Sequence, residues 1–178
     1  DIHGCTHALE SLLAEIQPQS DDTIVCLGDF IDQGRDSCQV IDALIALAEQ
    51  CNLVTILGNH EEMLLSALED PQSLEPWLMA GGVATLNSYV FGASIKVIPD
   101  EHWEFFRQCA DYYETDEHIF THAGYDPQLA MEDQQVYSLR WALLEEPYPA
   151  PHRSGKTVVV GHTEQSNGEP LDLGHVVC

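Results

Sequence analysis

The chain reads Thr-Ile-Val-Cys-Leu-Gly-Asp-Phe-Ile-Asp from Thr23 to Asp32. The apolar run at its start predicts a short buried strand, and Gly28 ends that strand and begins a loop. The loop carries two carboxylates, Asp29 and Asp32, directly after the strand. Ligands in α/β proteins gather beyond the carboxyl ends of strands, so this stretch predicts both a strand and a functional site.

Four further short motifs occur in a fixed order, and each offers metal-capable side chains beside a glycine. They are Asp1-Ile2-His3-Gly4, Gly58-Asn59-His60-Glu61, His122-Ala123-Gly124 and Gly161-His162-Thr163. Each motif alone is common, but the five together supply enough ligands for two divalent metals that share one carboxylate. Their mixed nitrogen and oxygen donors suit manganese, iron or zinc better than calcium.

The remaining pattern alternates apolar runs with amphipathic stretches, which predicts an α/β fold. We predict strands at 23–27, 53–57, 118–121 and 157–160, and helices at 5–17, 37–50, 61–68 and 135–144. The first helix is expected to bury one face formed by Leu9, Leu12, Leu13 and Ile16. Residues 72–111 are expected to form a cap-like insert of short helices broken by Pro76, Gly81-Gly82 and Pro99. Periodicity alone does not separate a single doubly wound sheet from two sheets.

Composition restricts the class of partner. The chain has 178 residues, enough for one domain, and a formal net charge of -24 with only six basic residues. Such a surface repels nucleic acid and anionic membranes, so we expect neither as a partner. No apolar run approaches the roughly 18 residues that a membrane span needs.

Cysteine usage gives an expectation about the compartment. The six cysteines show neither a C-x-x-C pair nor a zinc-finger spacing. We therefore expect reduced thiols in a cytoplasmic protein.

The order of the five motifs resembles the calcineurin-like metallophosphoesterases. The resemblance is greater to the bacterial branch of the PPP-type serine/threonine protein phosphatases, which also contains the symmetrical dinucleoside tetraphosphatases. Further stretches that match are Asn59–Met63, Gly81–Leu86 and Leu139-Arg140-Trp141. The resemblance implies two facing mixed β-sheets flanked by helices. It covers Asp1 to about Val177 and implies one catalytic domain over residues 1–178, trimmed at both ends, since the family has a strand before Asp1.

The resemblance also implies a dinuclear metal centre. Asp1, His3 and Asp29 would hold one ion. Asp29 would bridge to a second ion held by Asn59, His122 and His162. We expect two divalent ions, manganese first, with iron or zinc as alternatives.

The implied reaction is attack of a metal-bridging hydroxide on a phosphate ester. His60 would be the general acid, and Asp32 would orient it. Arg140, Asn59 and Arg35 would contact the substrate phosphate. The family motif Gly-Asp-x-x-Asp-Arg-Gly has Gln33 in place of its arginine, and Arg35 is a partial substitute.

Three functions stay open at this stage. The leading one is hydrolysis of phosphate monoesters on phosphoserine or phosphothreonine proteins, or on a small phosphorylated compound. The second is hydrolysis of dinucleoside polyphosphates, although that branch usually lacks the carboxylate found here at Asp32. The third is a catalytically weak phosphopeptide-binding domain, which rests on Gln33 alone.

Overall fold

A computed structural model describes residues 1–178 of the protein. The helices are α1 (Thr6–Ile16), α2 (Ser37–Ala48), α3 (Asn59–Glu69), α4 (Leu74–Trp77), α5 (Val83–Tyr89), α6 (Asp100–Gln108) and α7 (Val136–Arg140). The strands are β1 (Thr23–Cys26), β2 (Asn52–Thr55), β3 (Tyr112–Glu114), β4 (His118–Thr121), β5 (Thr157–Val159) and β6 (Val176–Val177). No helix combines the length and the apolar composition that a membrane span requires.

The strands form two sheets flanked by helices, which confirms the predicted α/β class. β1 and β2 pair in parallel, with Thr23 opposite Asn52. The second sheet has the order β3-β4-β5-β6 and is mixed, because β3 is antiparallel to β4 while the other pairs are parallel. A single parallel bridge pairs Ile56, which directly follows β2, with Ala110, which precedes β3 in the sequence.

Each sheet has its own hydrophobic core. The larger cluster packs the apolar face of α2 with residues of α3, α5 and α6, and its α2 members are Val40, Ile41, Leu44 and Leu47. The smaller cluster surrounds Ile119 of β4 and Val158 of β5. The polar loops that follow the strands lie between the two clusters.

The predicted buried face of α1 is wrong in part. Leu9 is buried, but Leu12 is 58% exposed and Ile16 is 46% exposed. β1 pairs only with β2, so no further strand lies beneath the exposed apolar residues of α1. An apolar groove of about 470 Å³ therefore runs between α1 and β1.

Two other predicted boundaries need correction. Pro76 does not break its helix, since it lies in the first turn of α4, where a missing amide costs no intrahelical bond. The predicted break at Gly81-Gly82 is present, since the chain kinks at Gly81, whose φ is 126°. α7 stops at Arg140 rather than at residue 144, because Leu144 donates its amide to the Thr163 hydroxyl in place of a helical carbonyl.

Candidate metal centre

The predicted ligand motifs meet where strands of both sheets end. Asp29 follows β1, while His122 follows β4 and His162 follows β5. His122 Nδ1 donates to the Leu27 carbonyl at 2.7 Å, which joins the end of one sheet to the end of the other. The Gly161 amide donates to the His122 carbonyl at 2.7 Å. The site therefore lies at the junction between the two cores.

Asp29 lies at the middle of this junction. Its φ is 50°, in the left-handed region, and its side chain is buried. Oδ1 accepts the His60 amide at 3.1 Å, which fixes the carboxylate. Oδ2 lies 3.7 Å from His3 Nε2 and 3.5 Å from His122 Nε2. One oxygen thus faces histidines from two motifs, as a carboxylate shared by two cations requires.

Asn59 completes the set of donors around Asp29. Its terminal amide atom lies 3.0 Å from His122 Nε2, 3.1 Å from His162 Nδ1 and 3.2 Å from Asp29 Oδ2. All these neighbours carry lone pairs, so either the amide protons or a cation must lie among them. Rotation of this amide presents either its NH₂ group to these lone pairs or its oxygen to a cation, so Asn59 fits the site with and without a metal. The donor set fits a divalent cation.

The histidine tautomers suit metal binding. His3 Nδ1 donates to the Ile31 carbonyl at 2.8 Å, and His122 Nδ1 donates to a carbonyl as described above. Both Nε2 lone pairs therefore face Asp29. Burial lowers the pKa of His122 to about 3 and also lowers the pKa of His162. Both rings are neutral near neutral pH, which is the form that binds metals.

The donors divide into two groups around Asp29. His3 and His60 join Asp29 in one group, while His122 and His162 join it in the other; within each group the ligand atoms lie within 4.8 Å of one another. Asp1 is exposed at the border of this site, and its Oδ1 accepts the His162 amide at 3.2 Å.

The predicted acid and its partner lie beside these donors. His60 Nδ1 is 2.7 Å from Asp32 Oδ2, and its ring is edge-on to His3 at 4.8 Å. Asp32 is fully buried and accepts hydrogen bonds from Trp77 Nε1 at 3.0 Å and Thr85 Oγ1 at 2.6 Å. Burial opposes charge on His60, but the Asp32 hydrogen bond and the carboxylates around it prevail and raise the pKa of His60.

Glu61, which was not predicted as a functional residue, supports the loop of Asp29. Its buried carboxylate accepts the amides of Asp29 at 2.9 Å, Phe30 at 2.8 Å, Ile31 at 3.3 Å and Gly58 at 3.1 Å. Burial raises the pKa of this carboxyl, whereas the amide hydrogen bonds act in the opposite direction. Glu61 therefore fixes the left-handed loop that carries Asp29. An acidic residue in the first turn of α3 was the only sequence signal for this role.

A glycine is required where the loops come closest. Gly28 has a φ of 105°, and a Cβ there would lie 2.7 Å from the Gly58 nitrogen and 2.8 Å from His122 Nδ1. Such distances are shorter than van der Waals contact, so no larger residue fits without displacing a predicted ligand.

Comparison with known proteins agrees with this geometry. The sequence model of the calcineurin-like phosphoesterase family matches residues 1–177. The chain belongs to the calcineurin-like phosphoesterase family. Members of this family use a dinuclear metal centre, and two groups of candidate ligands share Asp29 in this chain.

Curated relatives of this calcineurin-like phosphoesterase fall in two groups. Over 84 residues it is 42% identical to serine/threonine-protein phosphatase 1 of Salmonella typhimurium, which covers 46% of this chain and 36% of the relative. Over 133 residues it is 32% identical to the symmetrical bis(5'-nucleosyl)-tetraphosphatase of Methylobacillus flagellatus, which covers 74% of this chain and 44% of the relative. In both cases the match spans less than half of the relative's length.

Solved structures confirm the fold. A candidate diadenosine tetraphosphatase superposes with a TM-score of 0.72 at 24% identity, covering 99% of this chain and 78% of that one. A serine/threonine phosphatase from Saccharomyces cerevisiae gives a TM-score of 0.70 at 18% identity, covering 99% of this chain and 64% of that one.

The predicted phosphate contacts Arg140 and Arg35, and the motif departure Gln33, lie in different surroundings. Arg140 is mostly buried and pairs with Glu62 at 3.2 Å and with Asp111. Arg35 is exposed and makes no ion pair within the chain. Gln33 Nε2 lies 3.4 Å from His3 Nε2, at the border of a cavity of about 550 Å³ that Asp1 and His162 also line.

Proposed function

We propose that this phosphoesterase hydrolyses phosphate monoesters with two divalent metal ions, and that its substrates are phosphoserine or phosphothreonine proteins. The observation that carries the proposal is the buried pair of Asp32 and His60, 2.7 Å apart, beside the shared carboxylate of Asp29. An alkoxide from serine or threonine is a poor leaving group, so its departure depends on a positioned proton donor.

The residues divide the work between metal binding and proton transfer. Asp1, His3, Asp29, Asn59, His122 and His162 hold the metals in this proposal. When bound, the two cations supply positive charge for the phosphoryl oxygens and a water nucleophile of lowered pKa. Manganese is the proposed metal, because the donors are nitrogen and oxygen atoms and none is a thiolate.

His60 is the proposed general acid. Its Nδ1 is held by Asp32, which leaves Nε2 for the leaving oxygen of the substrate. Asp32 cannot rotate away, because Trp77 and Thr85 hold both of its oxygens. The imidazole is thereby fixed in position and kept protonated to a higher pH than usual.

Positive charge for the substrate phosphate is scarce in this chain. Arg140 is the proposed phosphate ligand, with Asn59 and Arg35 as further contacts. Glu62 and Asp111 fix the guanidinium of Arg140. The net charge of -24 supports a phosphorylated protein or small compound, rather than a nucleic acid, as the substrate.

The tetraphosphatase relatives support a second candidate, hydrolysis of dinucleoside polyphosphates. The Asp32–His60 pair favours the phosphatase proposal, since the tetraphosphatase branch usually lacks this carboxylate. The two candidates use the same metal centre and differ only in the substrate.

Product analysis separates these functions, because a phosphate monoester releases free phosphate whereas symmetrical cleavage of a dinucleoside tetraphosphate yields two nucleoside diphosphates. The full chain would be assayed with manganese on an aryl phosphate, a phosphoserine peptide and a dinucleoside tetraphosphate, beside Asp29→Asn and the exposed control Asp133→Asn. We expect manganese-dependent release from the first two substrates, lost only in Asp29→Asn. Faster cleavage of the dinucleotide would support the second candidate. Peptide binding without turnover would support the binding-domain alternative.

A further inference from the structure

A second group of metal-capable side chains lies outside the centre described above. Cys38 and Asp42 are four residues apart on α2 and project from the same face, while His102 of α6 faces them. Cys38 Sγ is 3.8 Å from Asp42 Oδ2, and Asp42 Oδ1 is 3.0 Å from His102 Nε2. All three ligand atoms lie within 4.8 Å of one another.

These side chains lie near the separations that a tetrahedral coordination sphere needs. Zinc bonds of about 2.0–2.3 Å to nitrogen, oxygen and sulfur place neighbouring ligand atoms about 3.3–3.8 Å apart. The two distances involve different oxygens of Asp42, so its exposed carboxylate would turn to present one of them, while the helices already bring the three side chains together. A thiol, an imidazole and a carboxylate together favour zinc over magnesium or calcium.

His102 has the supporting contact that metal-binding histidines usually have. Tyr89 of α5 places its hydroxyl 2.7 Å from His102 Nδ1. A hydroxyl both donates and accepts, so it can hold the ring in either tautomer. The imidazole is 4% exposed, whereas the Asp42 side chain is 63% exposed, which gives an ion a route from solvent.

We propose that Cys38, Asp42 and His102 bind a zinc-like divalent cation, with a solvent water as the fourth ligand. Binding releases the Cys38 Sγ proton to solvent. The His102 ring changes tautomer, so Nε2 binds the ion while Nδ1–H donates to Tyr89.

The position of this site links it to the helices that support Asp32. The Cys38 amide donates to Ser88 Oγ at 3.0 Å, and Ser88 Oγ donates to the Thr85 carbonyl at 2.6 Å. Ser37, the preceding residue, accepts the Asp32 amide at 3.2 Å. A cation at Cys38 therefore holds α2 against α6 beside the network that supports Asp32.

Cobalt(II) titration of the full chain tests the proposal. A thiolate bound to cobalt gives a near-ultraviolet charge-transfer band, which the nitrogen and oxygen donors around Asp29 do not give. We expect one such band per chain, displaced by zinc and absent in Cys38→Ser. The control is Cys178→Ser, because that thiol lines the cavity beside Asp1 and His162.

Two further variants test the remaining ligands. Asp42→Asn, at a side chain that is 63% exposed, should weaken cobalt binding. Tyr89→Phe should weaken it by about 10–100-fold, as the loss of a hydrogen bond to a metal-binding histidine does. No band in the wild type, a band that survives Cys38→Ser, or a band lost only in Cys178→Ser would each overturn the proposal.

Discussion

Glu61 Oε1 accepts the Phe30 amide at 2.8 Å, and Glu61 Oε2 accepts the amide of Asp29, which precedes Phe30. The first turn of α3 therefore carries three different functions in succession. Asn59 is a proposed metal ligand, His60 is the proposed acid, and Glu61 holds the loop that carries Asp29. A change in the position of this helix start would move all three together.

Glu61→Gln is expected to destabilise the protein by about 1–3 kcal/mol, because its amide NH₂ would face backbone N–H donors and leave some of them without an acceptor. Urea unfolding would measure this. The matched control is Glu69→Gln on the exposed end of the same helix, which should leave stability unchanged. Equal stabilities for the two variants would contradict the role given to Glu61.

His60→Ala is expected to lower kcat by about 10²–10⁴-fold on a phosphoserine peptide, the usual contribution of a general acid. The loss should be much smaller on an aryl phosphate, whose leaving group needs no proton. Steady-state kinetics on both substrates would show the difference, with the exposed His7→Ala as control. An equal loss on the two substrates would indicate a binding role for His60 instead.

Asp32→Asn is expected to shift the alkaline side of the pH–rate profile to lower pH. The general acid works only when protonated, and the hydrogen bond from Asp32 helps to raise the pKa of His60. Activity in the natural protein therefore falls as pH rises through this raised pKa. Without the carboxylate the pKa drops, so the same fall begins earlier. An unchanged alkaline side would show that another group controls it.

Gln33→Arg is expected to lower KM for phosphorylated substrates by up to about tenfold, because it adds a charge-assisted hydrogen bond beside His3. The control is Gln39→Arg on the exposed surface of α2, which makes the same change in net charge away from the site. If both variants lower KM equally, the effect is one of overall charge and not of this position.

Four proposed metal ligands, Asp29, Asn59, His122 and His162, could be located from the sequence because each follows a strand by a few residues. Local patterns locate such positions, and the sheet brings them together. The supporting contacts were not predictable, since Trp77 and Thr85 reach Asp32 from 45 and 53 residues along the chain. Residues 72–111 were predicted only as a cap. No pattern indicated that this insert donates the hydrogen bonds that fix Asp32, the partner of His60.

Two details depended on neighbours that a sequence pattern does not reveal. The apolar stripe of α1 has the right period for burial, but whether a stripe is buried depends on which strand lies beneath it. Arg140 was predicted as a phosphate ligand from its motif. Its pairing with Glu62 and Asp111 depends on residues distant in sequence.

The two separate hydrophobic cores give the metal centre a role in folding. Asp1, His3, Asp29 and Asn59 belong to the half of the chain with the larger cluster, whereas His122 and His162 belong to the other half. Neither half contains every ligand, so bound cations would join two bodies that apolar packing leaves distinct. Metal loading would then make the two halves unfold as one cooperative unit.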